Sequence, residues 1–546
     1  MIRIAVVGGG PKSLFALLAL HDSLPSTADS HIAVDVYDPS PPGSGSVWRT
    51  DQPEVLRLNV AAGIVDASSS ISSEDFAGWV TRTAPESPGE KYPPRALVGR
   101  YLREQYQLLT QCANMTLIHK PFAVTAIERE ESHWQVSGTF GTGQYEEVLL
   151  AMGHGLAHDP LWEPLPGALN QHPLIGDYSS LSMSDIPPES DVWIRGAALT
   201  AYDVALLLTE GRGGSWRQSE NDGGMVEGLR YVACGREPRR ITLTSRSGFL
   251  MDPKSETVPA EISASMEPYK RLIREWAGEV RATMPDDTLP DGGVSLAGLW
   301  TVLLHCAQEC ARIMGSPVTP LSLWRTALTG RSVQAGPDGA SVAMPLDALG
   351  HLRNSVAVNH RKAPLTTGWL WARVWSGLYA ELVQAMDRLP RSSQAWREFC
   401  RVAHNLERFT FGPPEFTTHK LLALFDAGIL HQSTGDDWPT EGVLIDAVTP
   451  GPGALRVAGG RPNSEVIAGL LDAGEVLIRP GERGLFTEPD GTCLANDGSR
   501  NESLAALGRL TEDPTLGHDT LNRGLHGDYR LWARRVAALI TEPAEP

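Results

Sequence analysis

The chain begins with the strand-type run Ile2-Arg3-Ile4-Ala5-Val6-Val7, breaks at Gly8-Gly9-Gly10-Pro11-Lys12-Ser13, and resumes as Leu14-Phe15-Ala16-Leu17-Leu18-Ala19-Leu20. Apolar strand, glycine turn and apolar helix in that order constrain the fold more than any other segment. They make the first unit of a dinucleotide-binding fold. Glycines let backbone approach a pyrophosphate closely, and the helix that follows aims its unpaired N–H groups and positive dipole end at the same phosphates. The spacing is Gly8-x-Gly10-x-x-Ser13, with a small side chain where helix and strand must pack. Gly8, Gly10, Pro11, Lys12 and Ser13 are therefore candidate cofactor-binding residues.

A second strand-like run, Ile32-Ala33-Val34-Asp35-Val36-Tyr37-Asp38, ends on a carboxylate. Asp38 stands near the offset at which an acidic residue accepts hydrogen bonds from a ribose hydroxyl pair. It also opens the turn Asp38-Pro39-Ser40-Pro41-Pro42-Gly43, where aspartate is common for local reasons, and both roles are compatible. The following glycine- and serine-rich turn carries Trp48, which reads equally well as a core anchor or as a flat wall facing a ligand.

A second unit of the same type spans Asp191-Val192-Trp193-Ile194-Arg195-Gly196-Ala197-Ala198-Leu199-Thr200-Ala201-Tyr202-Asp203. Its pattern is degraded to Gly-x-Ala-x-x-Ala, and Ala198 adds a methyl where backbone should approach phosphate. The next strand, Arg240 to Ser245, runs into Arg246-Ser247-Gly248 rather than a carboxylate. Arg246 is either the partner of a 2′-phosphate, which favours NADPH over NADH, or a solvated turn residue.

Composition sets the outer limits. The 546 residues are 42% hydrophobic and 21% charged, as in ordinary globular proteins, and allow two to four domains. A net charge of −18 excludes the basic surface needed for nucleic acid or an anionic membrane. No apolar stretch approaches the roughly 20 residues of a membrane span. The first residues read as a folding strand rather than a cleavable signal, and six cysteines without a short-spaced framework suit a reducing compartment, so a cytoplasmic protein is expected. Cys306 and Cys310, beside His305, read as buried thiols on a helix more readily than as metal ligands.

The expected architecture is α/β, with two dinucleotide-binding (Rossmann-like) domains and a large helical insertion. Residues 1–185 form the first part of the first domain and 186–255 the first part of the second. Residues 256–440 form the insertion, expected to select substrate, and 441–546 return to complete the nucleotide-binding domains. Helical patterns cover Glu267 to Met284, Ala297 to Met314, Gly368 to Arg388 and Gln394 to Phe409. Trp369, Trp371 and Trp375 read as helix-packing core. Strand patterns resume at Val443 to Val448 and Val476 to Arg479, and a last helix runs from about Asp528 to Ile540.

Two nucleotide units separated by Leu149-Leu150-Ala151-Met152-Gly153-His154-Gly155 resemble the two-domain flavoproteins, in which the first unit binds FAD and the second NAD(P)H. Several blocks are similar to one bacterial FAD/NAD(P)-binding subfamily: Gly8 to Pro11, Asp38-Pro39 with Pro42-Gly43-x-Gly45, Val47 to Gln52, Pro94 to Ala96 with Gly99 to Leu102, Gly196 to Asp203, and Ser245 to Gly248. That subfamily includes nitrosuccinate synthase-type N-monooxygenases, which oxidise an amino group with flavin, NADPH and oxygen. The resemblance implies that Gly8, Gly10 and Ser13 contact the FAD pyrophosphate and Asp38 its ribose. It makes Trp48, Gln52 and Asn59 candidates for the flavin face, and brings Gly196, Ala198, Thr200 and Arg246 to NADPH. It implies a small amine or amino acid and molecular oxygen as reactants, with a dehydrogenase, an oxidase or a non-catalytic FAD-binding protein as alternatives. An amino-acid carboxylate would need an arginine, with Arg57, Arg100 and the arginines of the insertion all open.

Overall fold

The computed structural model describes residues 2–541 apart from 26–31, 85–88, 156–168, 170–172, 219–227, 284–294, 336–340, 345–346, 435–437, 440, 458 and 519. Two parallel sheets organise the chain, and they are the two nucleotide-binding units read from the sequence. In the first, Ile2–Val7 lies between Ile32–Tyr37 and Glu147–Leu150, parallel to both. Thr116–Lys120 extends one side and Arg500–Ala506 the other, so the C-terminal part of the chain enters this sheet. Thr492–Leu494 adds an antiparallel edge. Strand order reverses at Ile2–Val7, the switch point outside whose carboxyl end such sheets bind ligands.

The helix Pro11–Ser23 opens with proline at its first turn, where no N–H is needed. It is apolar almost all round because it lies between the sheet and the last helix, Asp528–Thr541, and fills a common core with both. That last helix is held to the sheet by a buried carboxylate: Glu147 accepts from Trp532 Nε1 at 2.9 Å and from Arg535 at 2.6 Å. The opposite face of the sheet is covered by a three-stranded antiparallel sheet, Val124–Tyr145, and by the helix Glu465–Asp472. Val476, expected in a strand, instead fills the core beneath that helix, and its neighbour Leu477 accepts one backbone hydrogen bond, from Phe486.

The second sheet has the order Leu430–Thr434, Arg240–Ser245, Asp191–Arg195, Val443–Asp446, all parallel. Leu430–Thr434 comes from inside the span read as helical insertion. The helix before it, Glu415–Asp426, packs its apolar face on this sheet. Those two elements therefore correct the 440 boundary: the separate helical core is built from elements before Glu415. Its centre is Thr367–Met386, whose Trp371 and Trp375 are fully buried among Glu267–Thr283, Ala297–Ile313, Pro320–Thr329 and Ser393–Thr410. Cys306 and Cys310 are buried thiols in the same core. Among the described residues no helix is long and apolar enough to cross a membrane.

Candidate active site at the two nucleotide-binding units

Gly8 has φ +102°, and a β-carbon there would sit 2.3 Å from the Ala151 carbonyl oxygen at the end of the neighbouring strand. Only glycine allows the turn to cross that strand end. A second glycine turn clasps the first: Gly43 N–H donates to Gly9 O at 2.7 Å, and Gly45 lies against the Gly10 α-carbon. Above Gly10 itself there is open space.

That space belongs to a cavity of about 280 Å³ lined by Gly8, Gly10, Pro11, Lys12, Asp38, Trp48 and His154, among others. It shares Trp48, His154, Arg509, Thr520 and Leu521 as walls with an adjoining chamber of about 290 Å³. The second chamber reaches Gln52, Asn59, Arg95, Leu199, Thr200 and Asp203, so it joins the two nucleotide units.

The sequence candidates fall into three groups. Gly8, Gly10, Pro11, Lys12, Asp38 and Trp48 line the first chamber, while Gln52, Asn59 and Thr200 line the second. Ser13 is buried beneath the turn, where its hydroxyl donates to Gly10 O at 2.6 Å. Gly196, with φ +114°, ends the central strand of the second sheet, while Ala198 and Arg246 are exposed. Asp38 accepts from Gly9 N–H at 2.7 Å and from Ser40 N–H at 2.8 Å. It is thus a turn residue that also braces the glycine loop. Trp48 packs against the first core and lines both chambers.

Sequence reasoning left the cations of the cavity unidentified. Arg100 is exposed, and Arg57 is engaged by Glu90. The arginines at the cavity are Arg95 and Arg509. Arg95 sits at the start of the helix Arg95–Leu109 and makes a two-pronged ion pair with Asp203, at 2.5 and 3.0 Å, on the helix Leu199–Leu207 of the second unit. Pro94 precedes it and an amphipathic helix follows, but nothing local marks a partner over a hundred residues away.

Among the buried acceptor-capable atoms of the cavity walls without a hydrogen-bond partner are Gln52 Oε1 and His154 Nδ1. The amide nitrogen of Gln52 donates to Val47 O at 2.6 Å, which leaves its oxygen for a ligand N–H. Burial, reinforced by the nearby Arg509 charge, pushes His154 down to about 3. His518, also at the first chamber, is stacked on His526 with centroids 3.7 Å apart. Burial pushes His526 to about 3 and His518 well below its ordinary value, with Lys12 adding repulsion to both.

These three histidines fold neutral and charge only on unfolding, so the unfolded chain binds more protons below about pH 6.5. Stability is then fully present above that pH and falls as pH drops toward 3, each histidine contributing up to about 1.4 kcal/mol per pH unit. Urea midpoints measured from pH 7 to pH 5 should fall steeply, and His154→Gln should flatten the slope. A midpoint that stays level over that range contradicts neutral burial.

Residues 5–155 match the family model described as FAD-NAD(P)-binding. The chain is 31% identical over 258 residues to a nitrosuccinic acid synthase of Aspergillus oryzae, and 30% identical over 281 residues to an L-aspartate N-monooxygenase (nitrosuccinate-forming) of Streptomyces cremeus. These matches cover 43% and 44% of this chain but 39% and 41% of the relatives, so the chain spans about two fifths of the length of the curated relatives it matches. The resemblance drawn from the sequence blocks is thus met, and one of the relatives is fungal rather than bacterial. Among solved structures, an open form of cyclohexanone monooxygenase aligns over 99% of this chain and 89% of its own, with a TM-score of 0.44 and 12% identity.

Proposed function

We propose that this protein is an FAD-dependent, NADPH-using monooxygenase that oxygenates the amino group of a small amino acid, L-aspartate being the first to test. The observation that carries this reading is the pair of adjoining chambers, sharing Trp48 and His154 as walls, that reach from the Gly8–Gly10 turn to Thr200 and Asp203 of the second unit.

The residues present fit an FAD. The open space above Gly10 and the N-terminus of the helix Pro11–Ser23 hold the pyrophosphate. Asp38 keeps lone pairs for a ribose hydroxyl beside its two backbone bonds. Gln52 Oε1 accepts from a ligand N–H, and Trp48 provides a flat wall. Gly196, Ala198, Thr200 and Arg246 receive NADPH along the start of the helix Leu199–Leu207. Bound FAD, once reduced by NADPH, supplies the activation of molecular oxygen. The chain's own part is to orient, to exclude water and to place charge. Neutral His154 offers an acceptor without competing for a substrate carboxylate, and the Arg509 guanidinium faces such a carboxylate against the −18 field of the whole chain.

The test uses the purified yellow protein. NADPH should bleach the flavin absorbance, air should restore it, and labelled oxygen should enter the nitrogen of a product when aspartate is present. Peroxide equal to NADPH consumed, with no oxygenated product from any small amino acid, would identify an oxidase instead. Arg246→Ala should raise the KM for NADPH about tenfold or more and leave that for NADH unchanged. An equal effect on both coenzymes removes Arg246 from the 2′-phosphate.

A further inference from the structure

Away from the cavity, His360, Glu415 and His419 bring one ligand atom each within 4.8 Å of one another. We propose that these three side chains form a binding site for a divalent transition-metal ion of the zinc type, which staples two helices of the second nucleotide unit.

The geometry carries the assignment. Glu415 and His419 are one turn apart on the helix Glu415–Asp426, so their side chains share a face. His360 caps the helix Ala348–Asn359 and arrives from the other side. The Nε2 atoms of both imidazoles converge on a single oxygen, Glu415 Oε1, His419 at 3.5 Å and His360 in closer contact. The 3.5 Å between His419 Nε2 and Glu415 Oε1 is close to the roughly 3.3 Å that bonds near 2.0–2.1 Å put between tetrahedral ligand atoms, and His360 admits an ion by drawing back from its present contact with the carboxylate. Two imidazoles and a carboxylate are a borderline-soft donor set that suits zinc rather than magnesium or calcium.

The setting suits metal entry and a structural role. Glu415 is buried, His419 is mostly so, and His360 is about two-fifths exposed, with a side-chain value of 42%, which leaves a route for the ion and a fourth position for water. The helix Ala348–Asn359 packs on the second sheet through Ala348 and Leu352, and Glu415–Asp426 leads directly into its edge strand Leu430–Thr434. An ion held between them fixes that edge from outside the sheet.

The cofactor-loaded full chain, stripped of metal by a chelator and dialysed, should bind about one equivalent of zinc by calorimetry. Zinc should also raise its thermal transition, as ligation of the folded state alone requires. Cobalt(II) in its place should give the intense visible bands of a four-coordinate site. Glu415→Gln and His419→Gln should each weaken zinc at least about tenfold. His305→Gln, an exposed histidine outside the cluster, should not. Circular dichroism of each metal-free variant establishes that it is folded before titration. Absence of a stoichiometric zinc isotherm, or binding that persists in both folded cluster variants, overturns the site.

Discussion

Replacing Gly10 with tryptophan should give a folded protein that no longer holds flavin. Gly10 has φ −80° and ψ −172°, which any residue adopts, and nothing lies within 4 Å of the position its β-carbon would take. The indole would project into the chamber between the helix start and Trp48. The volume it takes is that assigned to the pyrophosphate, and the N–H groups at the helix end would lose their anion. FAD affinity should drop by at least about 100-fold, roughly 2.7 kcal/mol, read by flavin fluorescence on titration. Circular dichroism and the thermal transition of the flavin-free protein should match those of flavin-free parent. Retained tight binding would mean that the pyrophosphate lies elsewhere.

Arg95→Met should uncouple the two nucleotide units. Arg95 and Asp203 are both largely buried, with side chains 14% and 11% exposed, and each is the other's main counter-charge. Arg95 also donates to Arg57 O at 2.8 Å, and Tyr178 approaches the same Asp203 oxygen. Removing one member leaves a buried carboxylate alone, a cost of about 3–5 kcal/mol. Burial already pushes Asp203 upward and Arg95 opposes it, so the variant should favour protonation of Asp203. The urea midpoint should drop sharply, and flavin reduction by NADPH should slow more than NADPH binding weakens. Adding Asp203→Asn should restore much of the stability, because the stranded charge is gone. A single variant within about 1 kcal/mol of parent, judged against those burial costs, would show that the pair contributes little to holding the units together.

Much of the fold was legible because its signals are local. The strand–glycine–helix order at Ile2 to Leu20 and at Asp191 to Leu208 is written in consecutive residues, and so is the apolar spacing of Thr367–Met386. Trp371 and Trp375 could be assigned to a core from that spacing alone. What escaped was long-range. Leu430–Thr434 is a short mixed strand whose place beside Arg240–Ser245 depends on a partner far back in the chain. Val476 looks like a strand residue because a core residue and a strand residue are equally apolar. In the site, Gly8, Asp38 and Trp48 were legible from turn chemistry. Arg95, Arg509 and His154 acquire their surroundings only from tertiary packing, and His360 stands 55 residues from Glu415, beyond any spacing rule.

The entry of Arg500–Ala506 into the first sheet has a consequence for the birth of the protein. The strand Glu147–Leu150 emerges from the ribosome with one edge unpaired, and its partner follows only after about 350 further residues. At ordinary elongation rates of about 5–20 residues per second the wait is some tens of seconds. Throughout it, the Glu147 carboxylate has neither Trp532 nor Arg535, and the face of Pro11–Ser23 that receives the last helix is bare. An open strand edge beside bare apolar surface is a template for association between nascent chains. Until that strand arrives, the open edge and the bare helix face are the surfaces on which a chaperone would be expected to act.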